Sequence, residues 1–421
     1  MKKQWINILI VGLSLGTAWA IRGQFGHEPG AAWAGGIGAL ALVLVSGRKD
    51  WYNKALLIAL SSALGWGAGG IISYGIVVGY GRSTDFLNAS YGLEMLFVIG
   101  GLFGLLGGGL LGLTLESSGE KKVKWAGLLT EMIAAGILVH SFLIDQLEFL
   151  MTPPRSEAWA ICLGAGLAML WYMARNKFNS AMRVALFTTL GAGFGFAFGN
   201  FLQIVGNVLE INFNMWNVME YNIGFWGGVS MAYGVFSSKW PEVSSVPESW
   251  ENKVAAALIL VFVPFLVFQN SAFYDILLNK SENIQSIESV TYSGSIAAFA
   301  LFILLVAMSW YVIRKYKKNF DRRMIIQLFV VYFSAYILFS YLVSGAFSGT
   351  FRLNHHLYVL NFAVILLFLW KRNPAFFHAP EAALQRENWF LYFILMIFAI
   401  LLLAFISIHI HGELGGANLR F

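Results

Sequence analysis

Charged side chains are scarce in this chain. Asp, Glu, Lys and Arg make up 12% of its 421 residues, against about 25% in an ordinary soluble domain. The shortage runs the whole length, in apolar stretches of about 17–25 residues, which is the length that crosses ~30 Å of hydrocarbon. The ~10-residue alternating segments of a transmembrane β-barrel are missing. Cysteine occurs once, as Cys162 in an apolar run. That excludes an intrachain disulfide and any CxxC metal site, and packing accounts for the residue. There is no Walker A loop, GxSxG elbow or HExxH helix, so ATP-driven transport by this chain alone is not expected. No cofactor and no metal ion are implied. The net charge of +6 says nothing in favour of nucleic acid, because its distribution matters more than its sum.

What is present is apolar: 58% hydrophobic residues, with 15 Trp and 36 Phe. The pattern predicts an all-α polytopic membrane protein of about thirteen transmembrane helices. They lie at 5–21, 31–47, 54–79, 93–115, 124–146, 157–174, 184–206, 220–237, 253–271, 291–313, 323–345, 354–370 and 388–410. Lys and Arg in short loops stay cytoplasmic. With Lys2 and Lys3 inside, only Arg22, Arg82, Arg155, Lys280, Arg352 and Arg420 of the 28 basic residues face outward. The expected N-terminus is therefore cytoplasmic and the C-terminus periplasmic, in the cytoplasmic (inner) membrane of a bacterium. Trp and Phe at span ends suit anchoring among membrane lipids. Lys2-Lys3, an apolar run and Ala18-Trp19-Ala20 also have the outline of a cleavable signal. The likeness of the first span to later ones favours its retention.

That likeness suggests a helix hairpin used three times. Leu15-Gly16, Leu64-Gly65 and Leu190-Gly191 each sit in a glycine-rich span. Each such span is followed by one with a glutamate and then a glycine pair: Glu28 with Gly35-Gly36, Glu94 with Gly100-Gly101, and Glu220 with Gly227-Gly228. Glycines also recur every fourth residue at Gly100, Gly104, Gly108 and Gly112, and at Gly191, Gly195 and Gly199. Such ridges let helices approach closely where lipid supplies no hydrophobic drive to associate. Residues 1–240 read as a glycine-rich core of eight helices, 241–252 as a cytoplasmic linker, and 253–421 as a five-helix bundle rich in Phe, Leu and Ile.

Arg22–Gly36 (RGQFGHEPGAAWAGG) concentrates polar groups between two apolar helices. His27, His140, His355, His356, His409 and His411 all fall at predicted outer span ends, as do Glu28, Glu94, Glu210 and Glu220. Ionisable groups near hydrocarbon are expensive and normally face an interior or a wet cavity, so a periplasm-facing polar cavity is expected. Pro29 suits a first helical turn, which puts Glu28 beside the positive end of a helix dipole. Glu94 and Glu220 are read as starting their helices in the same way, and each could equally be a simple cap. Asn200, Gln203 and Asn207 share one helix face, suited to hydrogen bonding a solute or a neighbouring helix. Glu131, alone about two turns into the fifth span, is a candidate for ion or proton coupling. His409, His411 and Glu413 make a His-x-His-x-Glu run, but a metal site needs further converging groups.

These residues favour a secondary transporter or permease for a small polar or anionic solute. Arg22, Gln24, His27, Glu28, Glu94, Asn200, Gln203 and Glu220 would bind it. The alternative is a membrane-embedded transferase or hydrolase acting on a lipid-linked or periplasmic substrate. There His27, Glu28, Arg352, His355 and His356 would supply general base and anion contacts.

Overall fold

The computed structural model describes residues 4–242, 249–270, 287–315, 320–344, 353–370, 375–377 and 387–421. Residues 271–286, which include most of the connection expected between the ninth and tenth spans, and Arg352 are outside the described residues. The described residues form helices and no strand. The first ten helices are α1 (Gln4–Arg22), α2 (His27–Ser46), α3 (Lys49–Asn53), α4 (Ala55–Gly70), α5 (Gly75–Gly81), α6 (Phe86–Glu116), α7 (Trp125–His140), α8 (Ala158–Arg175), α9 (Asn179–Val208) and α10 (Met215–Phe236). Then follow α11 (Ser249–Ala257), a wide turn through Leu258–Phe262, α12 (Val263–Asn270), α13 (Ile287–Lys315), α14 (Arg322–Ser344), α15 (Leu353–Trp370) and α16 (Trp389–Ile410).

Among the described residues, eleven helices are long and apolar enough to cross a membrane, or twelve if one bent pair counts as a span. Two of the thirteen expected spans are not single long apolar helices. The third expected span, 54–79, is not one helix: α4 and α5 meet at a 68° bend. The eighth, 220–237, is α10, whose Asn217, Glu220, Tyr221 and Asn222 hold its hydropathy down. This helix needs no lipid-facing apolarity, because it packs along α1 on one side and α9 on the other.

Glycine ridges make the close packing. A Cβ at Gly104 of α6 would overlap the Thr188 carbonyl of α9, and one at Gly100 would stand 2.5 Å from the Ala192 carbonyl. Gly195 and Gly199 of α9 meet the Asn222 and Met219 carbonyls of α10 in the same manner. The hairpin geometry differs among the three glycine-rich units. Gly65 of α4 faces Leu106 of α6, and Gly191 of α9 faces Trp226 of α10, so each meets the second helix of its own hairpin. Gly16 of α1 faces Phe225 of α10 instead of α2. The core is consequently closed by α1 docking onto α10.

Local rules set the helix ends that matter below. After α1, Phe25 N–H donates to the Arg22 carbonyl at 3.0 Å, turning the chain. Gly26 then takes φ 82°, ψ 159°, a region open essentially to glycine alone. That turn starts α2 at His27, with Pro29 in the first turn, where a missing N–H costs nothing. Gly30 lets α2 press onto the end of α1, since a Cβ there would lie 2.7 Å from the Arg22 carbonyl. Asp85 caps α6 by accepting from Asn88 N–H at 2.9 Å.

Candidate functional site

The bend between α4 and α5 carries Tyr74 into the bundle beside the end of α1 and the second turn of α10. Arg22, completely buried, donates from Nη2 to the Tyr74 hydroxyl at 2.6 Å and to both Glu220 carboxylate oxygens at 3.1 and 3.2 Å. The Tyr74 hydroxyl in turn donates to Glu220 Oε1. The end of α1, the α4–α5 bend and the second turn of α10 thus close a hydrogen-bonded ring. The Arg22 Nε–H finds no partner among the described residues. Arg22 stays protonated in any protein environment, so the buried guanidinium must keep a counter-anion, which here is Glu220.

Aromatic rings frame the pair. The Arg22 guanidinium lies 4.8 Å from the Trp19 ring centroid, a desolvated cation–π contact. Trp19 meets Trp66 at 4.9 Å and Phe103 at 5.5 Å, and Tyr74 meets Phe196 at 5.0 Å. These rings form a layer on the inner side of the ring of charges. On the other side stands His27, exposed at the start of α2. Its Nδ1 is 3.5 Å from Arg22 Nη1 and its ring is edge-on to Tyr74 at 5.6 Å.

A second polar cluster adjoins the first. Gln24 accepts from the Ser340 hydroxyl at 3.0 Å and approaches His355 Nε2 at 3.4 Å. His355 is buried, while the next residue, His356, turns to the Tyr341 hydroxyl at 3.1 Å. The two consecutive histidines therefore serve different partners. Asn200 and Gln203 of α9 bond each other at 3.2 Å, buried against Gly81 of α5. Asn200 Oδ1 and Gln203 Nε2 have no further partner among the described residues. Asn207 and Glu210 are exposed, so the amide stripe enters the bundle only at its first two members.

Arg22, His27 and Glu220 are brought together, with Gln24 alongside; the other sequence candidates stand apart. Glu28 is exposed in the first turn of α2. Glu94 does not start a helix: α6 begins eight residues earlier, at Phe86, and Glu94 sits half-buried in its third turn. Glu220 likewise lies in the second turn of α10, which begins at Met215. The expected trio of glutamates at helix starts reduces to Glu28, because α6 and α10 extend beyond the apolar runs that located them. Glu131 pairs with Arg175 at 2.6 Å on the half-exposed face between α7 and α8, away from the cluster. His409, His411 and Glu413 do not converge, and no group of three His, Cys, Asp or Glu side chains suits a metal ion among the described residues.

Sequence reasoning missed Tyr74. Its signal was the third apolar run of 26 residues, longer than a membrane requires, interrupted by Gly69-Gly70 and then Ser73-Tyr74-Gly75. Comparison with protein-family models, curated proteins and solved structures gave no match, so the functional reading rests on chemistry and geometry alone.

Proposed function

We propose that the protein is a secondary transporter of the bacterial cytoplasmic membrane for a small anionic solute, with Arg22, Tyr74 and Glu220 as its binding and coupling centre. The observation that carries this reading is the break of α4–α5 at a buried Arg22–Glu220 pair. Broken helices at a polar site inside a helical bundle are a common construction of carriers, and intramembrane ionisable groups mark solute and proton paths.

Glu220 neutralises Arg22 in the closed state. A proton delivered to the Glu220 carboxylate frees the guanidinium, whose charge must then be met by another anion. A solute carboxylate or phosphate takes that place and accepts from Arg22 Nη1 and Nη2, with the Tyr74 hydroxyl as a further donor. Loss of the proton returns Glu220 to Arg22 and expels the solute. His27 stands at the mouth on the side that the loop charges make periplasmic. Glu220, and not the peripheral Glu131, is the coupling group in this scheme.

The test is native mass spectrometry and thermal stability with a panel of small carboxylates and phosphate esters. Glu220→Gln, which mimics the protonated state, should bind and be stabilised by an anion more strongly than the wild type, and Arg22→Met should bind none. Equal anion response in all three proteins would refute the assignment. A second reading, a membrane-embedded transferase or hydrolase with His27 as general base, is favoured by the exposed imidazole beside Arg22. A covalent or lipid-linked adduct that disappears in His27→Gln would favour it over transport.

A further inference from the structure

A groove of about 340 Å³ runs between α1, α10 and α15, at the low end of the volumes typical of small-molecule sites. Its polar groups come from one stripe on α15, where Asn354, Tyr358 and Asn361 are spaced at positions i, i+4 and i+7, and so share a helix face. Across it stand Asn217 and Tyr221 of α10 and Thr17 of α1. Amides facing a groove in an apolar bundle are costly unless partnered, and here the partnering is incomplete. Asn361 Nδ2 donates to Thr17 Oγ1 at 2.5 Å and to the Tyr221 hydroxyl at 3.2 Å. Asn354 Nδ2 donates to the Tyr358 hydroxyl at 3.2 Å, and that hydroxyl donates to Asn217 Oδ1 at 2.7 Å. Among the described residues this leaves the Asn354 and Asn361 carbonyl oxygens as open acceptors. The hydroxyl protons of Thr17 and Tyr221 are likewise open donors.

Two acceptors and two donors with no charged side chain in the wall suit neutral hydroxyl groups, which both give and take hydrogen bonds. An anion would find no cation here. The remaining wall is apolar, and its rim residues Leu357 and Leu360 are 42% and 59% exposed, so the groove opens sideways through the face that lipid covers. We propose that this groove binds an uncharged amphiphile, its hydroxylated head held by Asn354, Asn361, Tyr221 and Thr17 and its apolar chain leaving past Leu357 and Leu360. The groove shares no lining residue with the Arg22–Tyr74–Glu220 ring, although Tyr358 brings it beside His355, ring centroids 5.5 Å apart, and its test needs no transport readout.

The full chain in lauryldimethylamine oxide, which has no hydroxyl, is titrated with three probes by native mass spectrometry. Octyl glucoside carries both head and chain, methyl glucoside the head alone, and octyl phosphate the same chain with an anionic head. Octyl glucoside should bind the wild type. Binding should weaken about tenfold in Asn361→Leu, the loss of one to two hydrogen bonds. Tyr221→Phe, which removes the open donor together with one acceptor of the Asn361 amide and almost no bulk, should weaken it in the same direction. Octyl phosphate binding that weakens in Asn361→Leu as much as octyl glucoside binding does would overturn the proposal, because the wall would not be selecting a neutral head; octyl phosphate bound at Arg22 is unaffected by that substitution. Methyl glucoside binding as tightly would overturn it in favour of a water-soluble polyol. Unchanged octyl glucoside binding in both variants would place the amphiphile elsewhere.

Discussion

Removing either partner of the Arg22–Glu220 pair should be far more damaging than removing both. Arg22 is 0% and the Glu220 side chain 8% exposed, so neither charge can recover its hydration in place. Breaking a buried pair by truncating one partner costs about 3–5 kcal/mol, whereas replacing both by apolar groups of similar volume is often neutral or better. Arg22→Met and Glu220→Leu should each lose about that much. If the effects were independent, the double variant would lose ~6–10 kcal/mol. The structure predicts otherwise. In the double variant the cost that remains is the Tyr74 hydroxyl, stripped of both partners, at about 1–3 kcal/mol. SDS titration in mixed micelles, followed by circular dichroism, measures all four proteins of the cycle. Single variants within about 1 kcal/mol of wild type, as for an exposed pair, or an additive double variant would refute the claim that the charges are desolvated and mutually dependent.

Three other substitutions probe separate parts of the structure. Tyr74→Phe keeps the ring against Phe196 but removes a hydroxyl bonded to two ionised groups, and should cost about 1.5–3 kcal/mol in the same titration. Gly104→Val forces a side chain into the Thr188 carbonyl; loss of about 3 kcal/mol or more should show as failure to elute as a monodisperse peak. Glu131→Gln breaks a bridge whose partners are 45% and 36% exposed, so stability should stay within about 0.5 kcal/mol and function should be untouched.

How much of this was legible beforehand depends on the kind of signal. The membrane class follows from long apolar runs, and the glycine ridges mark α6 and α9 as closely packed, because spacing by four is a local property of one helix; which helices they meet is not written there. Arg22 and His27 were visible as polar groups at a helix junction. Their true partner set was not. Hydropathy places a helix start at Glu220 because it marks where apolarity begins, whereas α10 begins five residues earlier, capped by Asn214 accepting from Asn217 N–H. Tyr74 was hidden inside a run counted as one span, since an average over 26 residues smooths out a break of four. Long-range pairing such as Arg22 with Glu220, 198 positions apart, leaves no trace in local periodicity. Glu131 shows the converse: isolation in sequence suggested a buried relay, yet Arg175 on the next helix neutralises it at the surface.

The most direct test of the central claim is proton flux in proteoliposomes loaded with the pH dye pyranine. An anion identified in the binding panel is added outside at acidic pH. Wild type should acidify the lumen in step with anion uptake, and Glu220→Gln should exchange labelled anion while moving no protons. Proton flux in Glu220→Gln equal to that of wild type would contradict the account, because the group that releases Arg22 would not be the group that carries the proton.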